Sequence, residues 1–154
     1  MNAPAEAVSR TDIQRVFELQ RAHQWTVRKR TAAQRIERLQ ALRAAIQAHE
    51  AEVREALYAD LRKSEANAQG EIDGCYSDID DAIANLEAWM APVEVPTSPA
   101  FADGKAKMVY EARGIVLLFG PWNFPFTLVF QPLVPIIAAG NCALVKPNEM
   151  APHV

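Results

Sequence analysis

Through the first two thirds of the chain, apolar positions recur three and four residues apart, the spacing that lines one face of an α-helix. Ser9 with Asp12 three residues on has the form of a helix N-cap, and Ile13, Val16 and Phe17 then share a face. Thr31 and Gln34 form a capping box ahead of a stripe of Ile36, Leu39, Leu42 and Ile46. His49 and Glu50 interrupt that stripe, which resumes at Val53, Leu57 and Leu61. The pattern predicts two helices meeting near His49, or one helix bent there. A further helix is predicted through Ile72, Cys75, Tyr76, Ile79, Ile83, Leu86 and Met90, ending at Pro92, whose ring cannot continue it. Asp78, Asp81 and Glu87 fall on or near its other face, without the histidine partner that would suggest a metal or acid–base site.

The period changes at Val93. Val93–Val95 and Lys107–Glu111 alternate apolar and polar side chains, as half-buried strands do, and Pro96, Pro99 and Asp103-Gly104 mark a loop between them. Ile115–Phe119 is instead a continuous apolar run between Gly114 and Gly120, the pattern of a strand buried on both faces of a parallel sheet. The stretch from Phe126 to Ala139 is too long for a strand, and Gly140-Asn141 closes it as a helix is closed. Pro132 and Pro135 predict that this helix is kinked or starts late. Cys142–Lys146 reads as a second buried strand, stopped by Pro147. Strand, helix and strand within about thirty residues make a βαβ unit, whose strands are parallel. The expected class is α/β: a layer of helices followed by one βαβ unit.

That unit sets Asn123 and Lys146 just past the carboxyl ends of neighbouring strands, the edge where open α/β sheets bind ligands. Asn123, between Pro121 and Pro125, either caps the next helix or points outward as a rigid donor to an oxygen that turns negative during a reaction. Lys146 and Glu149 are either solvated loop charges or a donor and an acceptor for ribose hydroxyls. Trp122 either packs or faces the ligand. There is no Gly-x-Gly-x-x-Gly, so the usual dinucleotide phosphate loop is absent. Cys75 and Cys142 lie in apolar stripes without a neighbouring base and read as structural thiols. His23, His49 and His153 have no arranged partner in the sequence.

Composition narrows the class further. A chain of 154 residues, 50% hydrophobic and 23% charged, has the make-up of a folded domain. Two cysteines exclude a disulfide scaffold, and no Cys/His cluster supports a metal site. A net charge of −3 argues against nucleic acid as a partner, and no apolar run approaches the roughly 18 residues of a membrane span. Met1–Glu6 lacks the regions of a secretory signal, so the expected place is the cytoplasm. The charges are uneven: seven bases against one acid from Arg21 to Arg43, and eight acids with no base from Glu65 to Glu94. Solvated helix faces are the ordinary cause, and a basic surface for an acidic partner or nucleic acid is the other. For nucleic acid, no aromatic stacking platform accompanies the bases.

Taken in order and spacing, Pro121-Trp122-Asn123-Phe124-Pro125, Ala138-Ala139-Gly140-Asn141 and Lys146-Pro147-Asn148-Glu149 resemble the NAD(P)-dependent aldehyde dehydrogenases. Upstream, Arg38–Leu42, Glu55–Glu65 and Ala88–Pro92 look like the class 3 branch, which includes fatty and coniferyl aldehyde dehydrogenases. The resemblance spans about residues 10 to 154. Ala112 stands where the family often has Pro, and Asn148 where Ser is usual; neither touches the implied roles. The resemblance implies that Asn123 holds the oxyanion formed when a cysteine thiolate attacks the aldehyde. It implies that Lys146 and Glu149 hold the adenosine ribose of NAD or NADP, with NAD favoured by the carboxylate of Glu149, and that Trp122 lines the cleft. It further implies a division into N-terminal helices (1–92), bridging and oligomerisation strands (93–112) and the first βαβ unit of a Rossmann-like cofactor domain (113–154). A small-molecule aldehyde substrate and a homodimeric or homotetrameric parent enzyme go with it. The family's nucleophilic cysteine, general-base glutamate and pyrophosphate turn lie further along than Val154. The chain is accordingly expected to be an incomplete, N-terminal part of such an enzyme and inactive alone. A stand-alone helical interaction module derived from an enzyme remnant is the alternative.

Overall fold

A computed structural model describes residues 9–154; Met1–Glu6, read above as lacking a secretory signal, lies outside the described residues. Helix α1 (Arg10–Val27) starts where the Ser9 side chain accepts from the backbone N–H of Asp12. Helix α2 (Ala32–Ala48) starts at the capping box: Gln34 N–H donates to Thr31 Oγ1, and Thr31 N–H to Gln34 Oε1. Of the two arrangements left open at His49, the chain takes two helices. His49 leaves helical geometry (φ −114°, ψ 12°), and α3 runs from Glu50 to Leu61. Helix α4 (Glu65–Met90) is capped by Ser64 and stops at Ala91, which is extended, as the residue before a proline is driven to be.

Helices α2, α3 and α4 share one core, in which Leu39, Leu57, Ile72, Cys75, Ile79 and Leu86 are fully or almost fully buried. Part of the charge imbalance resolves inside this layer. The Arg43 guanidinium on α2 donates to both carboxylate oxygens of Asp80 on α4, at 2.8 and 3.2 Å, and lies over the Tyr76 ring.

Strand β1 (Val93–Val95) pairs antiparallel with β2 (Ala106–Met108), Glu94 opposite Lys107. The second of these strands was expected to reach Glu111; it ends at Met108. The reason is the length of its partner. Met108 pairs with Val93, and beyond Val93 comes Pro92, which has no N–H to offer. Val109 and Tyr110 are left exposed. The intervening loop includes a single 3-10 turn, Pro99–Phe101.

The βαβ unit is present as strand β3 (Ile115–Phe119), helix α5 (Thr127–Ala138) and strand β4 (Cys142–Lys146), with β3 and β4 parallel and paired from Ile115↔Cys142 to Phe119↔Lys146. Helix α5 starts at Thr127 and runs through Pro132 and Pro135 as one element. Each proline removes one intrahelical donor, and burial of Val134 and Ala138 against the core offsets the loss. The helix ends in a Schellman motif: Gly140 N–H donates to Ile137 O and Asn141 N–H to Ile136 O, with Gly140 at φ +80°. The Asn141 side chain then accepts from Gly114 N–H, tying the entrance of β3 to that of β4.

Burial of the strands on both faces is not what the structure shows. Leu117 and Phe119 are 57% and 65% exposed, and Val145 is exposed as well. Helices α1 and α5 both lie against the strand pair, yet no described residue covers the outer positions of β3. No helix among the described residues is long and apolar enough to cross a membrane.

Candidate cofactor and oxyanion rim

At the carboxyl ends of β3 and β4 the two exits are stitched together. Gly120 N–H donates to Lys146 O at 2.9 Å, and Asn148 Nδ2 donates to Gly120 O at 3.3 Å. Gly120 has to be a glycine, because a Cβ there would lie 2.4 Å from Val129 Cγ2 on α5. From this fixed point a loop leads to α5. Its middle residues, Trp122, Asn123 and Phe124, are exposed, while Pro125 and Phe126 turn into the core.

Of the two roles open to Asn123, capping α5 is not taken. The N-cap position is Phe126, and the Asn123 side chain makes no hydrogen bond to any described residue. Its amide stands on an exposed loop between two anchored ends. Lys146 and Glu149 form an ion pair with each other, three residues apart and both well exposed. The hydrogen bond from Lys146 holds the Glu149 carboxyl below its ordinary range, so it is ionised at neutral pH. An exposed pair of this kind adds little to stability. One ammonium donor and one carboxylate acceptor beside a strand end are the set that vicinal ribose hydroxyls need, so these residues fit a nucleotide. Trp122 is half-exposed on the same loop.

The first amide of α5 is served from an unexpected quarter. Glu71, in the middle of the chain's acidic stretch and on α4, is buried at 3% exposure. Its Oε2 accepts from Thr127 N–H at 3.0 Å, and its backbone carbonyl accepts from Thr127 Oγ1 at 3.1 Å. Its Oε1 is bonded to the Lys63 ammonium, which sits 3.8 Å from the centre of the Phe124 ring. The sequence carried one signal for this: Glu71 falls within the buried stripe of Ala68, Ile72 and Cys75, where an acid requires a partner.

Both cysteines are buried and unpaired. Burial pushes the Cys75 thiol up to about 12 and raises that of Cys142, so neither is a nucleophilic thiolate at neutral pH. Two histidines have partners that the sequence did not reveal. His49 Nδ1 lies 2.8 Å from Glu52, and His153 Nδ1 meets Asp60, whose buried carboxylate also accepts from the N–H groups of His153 and Val154. These contacts bridge distant segments or adjacent turns, and only the first is local enough to show in spacing.

A parallel βαβ unit with a polar rim at its carboxyl end has the form of the ligand-binding edge of an open α/β sheet. Residues 2–154 match the aldehyde dehydrogenase family, and the chain belongs to that family. It is 45% identical over 139 residues to AldX of Bacillus subtilis (strain 168), covering 90% of this chain and 31% of AldX. It is 39% identical over 121 residues to the dimeric NADP-preferring aldehyde dehydrogenase of Canis lupus familiaris, covering 78% and 27%. The fold matches that of substrate-bound Staphylococcus aureus AldH with a TM-score of 0.88 at 35% identity, over 92% of this chain and 31% of that one. The similarity extends to class 3 members, among them family 3 member A2 of Macaca fascicularis. The chain spans less than a third of the length of these relatives.

Proposed function

We propose that this chain supplies the oxyanion donor and the ribose contacts of an NAD(P)-dependent dehydrogenase that oxidises an aldehyde to a carboxylic acid. The observation that supports this most is the state of Asn123: exposed, excluded from capping, and carried on a loop whose two ends are fixed at the exit of paired strands. When a thiolate adds to an aldehyde carbon, the carbonyl oxygen becomes negative, and Asn123 Nδ2–H donates to it. A donor aimed before the charge develops needs no reorganisation, which is where its advantage lies. Lys146 donates to and Glu149 accepts from the ribose hydroxyls, and Trp122 lines the cleft. Bound NAD(P) supplies the nicotinamide that takes up the hydride.

The thiolate comes from neither Cys75 nor Cys142, both buried with raised pKa values, so the 154-residue chain alone oxidises no aldehyde on this reading. NAD is the favoured cofactor, because the ionised Glu149 repels a 2′-phosphate. The division into 1–92, 93–112 and 113–154 belongs to the same reading, with β1 and β2 as the bridging element of a homodimer or homotetramer. Free cysteines suit a cytoplasmic setting. In the complete dehydrogenase, Asn123→Ala is expected to lower kcat by roughly 10²–10³, the usual loss for an oxyanion donor, with little change in cofactor KM. Full turnover in a variant whose chemical step limits the rate would remove Asn123 from the mechanism.

A further inference from the structure

We infer that Glu71 and Lys63 are positioning residues for the Asn123 loop, an inference that rests on the oxyanion role proposed for Asn123. The loop from Gly120 to Phe126 is held at its first residue by Gly120 N–H donating to Lys146 O on β4 and by the Asn148 side chain donating to Gly120 O. At its far end, where Pro125 and Phe126 are buried, the helical layer adds polar contacts to the first residue of α5: the Glu71 side chain accepts from Thr127 N–H, and the Glu71 backbone carbonyl accepts from Thr127 Oγ1. Lys63 bonds the other carboxylate oxygen and places its ammonium against the face of Phe124, the residue next to Asn123. Lys63 leaves α3 just after Arg62, whose left-handed backbone (φ +55°) turns the chain between α3 and α4.

The arrangement is more specific than stability requires. A buried ion pair is weak evidence of stabilisation, since apolar residues of similar size often serve as well. What an apolar pair cannot do is accept a hydrogen bond from Thr127 N–H and attract an aromatic face at the same time. Both contacts act on the segment that carries Asn123, and both are made by side chains at most 12% exposed. Displacing a reacting group by about 1 Å costs up to roughly 10² in rate, so a hold of this kind reads out in turnover.

The test is a double-mutant cycle in the complete dehydrogenase, combining Glu71→Gln with Asn123→Ala and following NADH or NADPH formation at saturating aldehyde and cofactor. A Lys63→Met/Glu71→Met variant is run beside it, because it removes both charges and the side-chain acceptor for Thr127 N–H and leaves no unpaired buried ammonium. Positioning predicts that Glu71→Gln lowers kcat about tenfold to a hundredfold, and that it costs nothing further once Asn123 is alanine. The double-charge variant is expected to lose kcat to the same degree while keeping a cooperative melt and its cofactor KM. Unchanged kcat in both charge variants, beside a crippled Asn123→Ala enzyme, overturns the inference; so does an undiminished Glu71→Gln loss in the Asn123→Ala background. Full turnover of Asn123→Ala itself sinks the oxyanion reading instead, which separates the two failures.

Discussion

The helical layer and the strand pair are built on opposite terms. In α2–α4 the apolar stripes face one another, and Leu39, Leu57, Ile72 and Ile79 are entirely shielded. In β3 and β4 the apolar run is longer and purer, yet Leu117, Phe119 and Val145 stand exposed. Hydrophobic content therefore does not locate the core of this chain; mutual coverage does. Glu71, on the shielded layer, contacts Thr127 at the end of the exposed loop that carries Asn123, one of the contacts that join the two regions.

The largest expected effect comes from exchanging one residue in each region. Ile72→Ala is expected to destabilise the chain by about 2–5 kcal/mol, whereas Leu117→Ala is expected to stay within about 0.5 kcal/mol, both read from denaturant unfolding. Equal losses would show that the outer face of β3 is covered in solution. A smaller effect tests the joint between the regions. Gly140→Ala places a Cβ at φ +80° and 2.6 Å from the Arg35 guanidinium carbon, whose Nη1 and Nη2 donate to Ala138 O and Arg28 O. That substitution is expected to cost about 2 kcal/mol or more, against a few tenths for an exposed alanine substitution on α2.

The smallest effect lies within the helical layer. The hydrogen bond from Arg43 lowers the Asp80 pKa below its ordinary 3.8. A carboxyl whose folded pKa is depressed contributes stability above its unfolded value and loses it as pH falls through the folded one. Asp80→Asn is therefore expected to lower the melting temperature slightly at neutral pH and to flatten its fall below about pH 4. An acid limb identical to that of the parent chain would show the pair to be energetically silent, as many exposed pairs are.

Local features were the legible ones. The caps at Ser9 and Thr31, the break at His49, the stop before Pro92 and the Gly140-Asn141 helix ending all depend on residues within one turn of each other. The parallel pair was legible too, because two short apolar runs separated by a helix-length stretch have few ways to pair. Coverage was not. A continuous apolar run is the same string whether or not another element lies over it, so Leu117 and Phe119 were expected inside. The cap on α5 was equally hidden, since Glu71 precedes Thr127 by 56 residues and leaves no periodic trace. At the rim, spacing brought Asn123 and Lys146 to adjacent strand ends but left Asn123 between capping and pointing outward. The backbone of Phe126, which takes the N-cap position itself, excludes the first of these.

The rim at the carboxyl ends of β3 and β4 is proposed as a dinucleotide seat. A crystal structure of the complete protein with bound NAD tests it most directly. The ribose hydroxyls of the adenosine half are predicted within about 2.7–3.2 Å of Lys146 Nζ and the Glu149 carboxylate, with the Asn123 amide facing the nicotinamide end. A dinucleotide bound away from the carboxyl ends of β3 and β4, with the Lys146–Glu149 pair untouched, would contradict it.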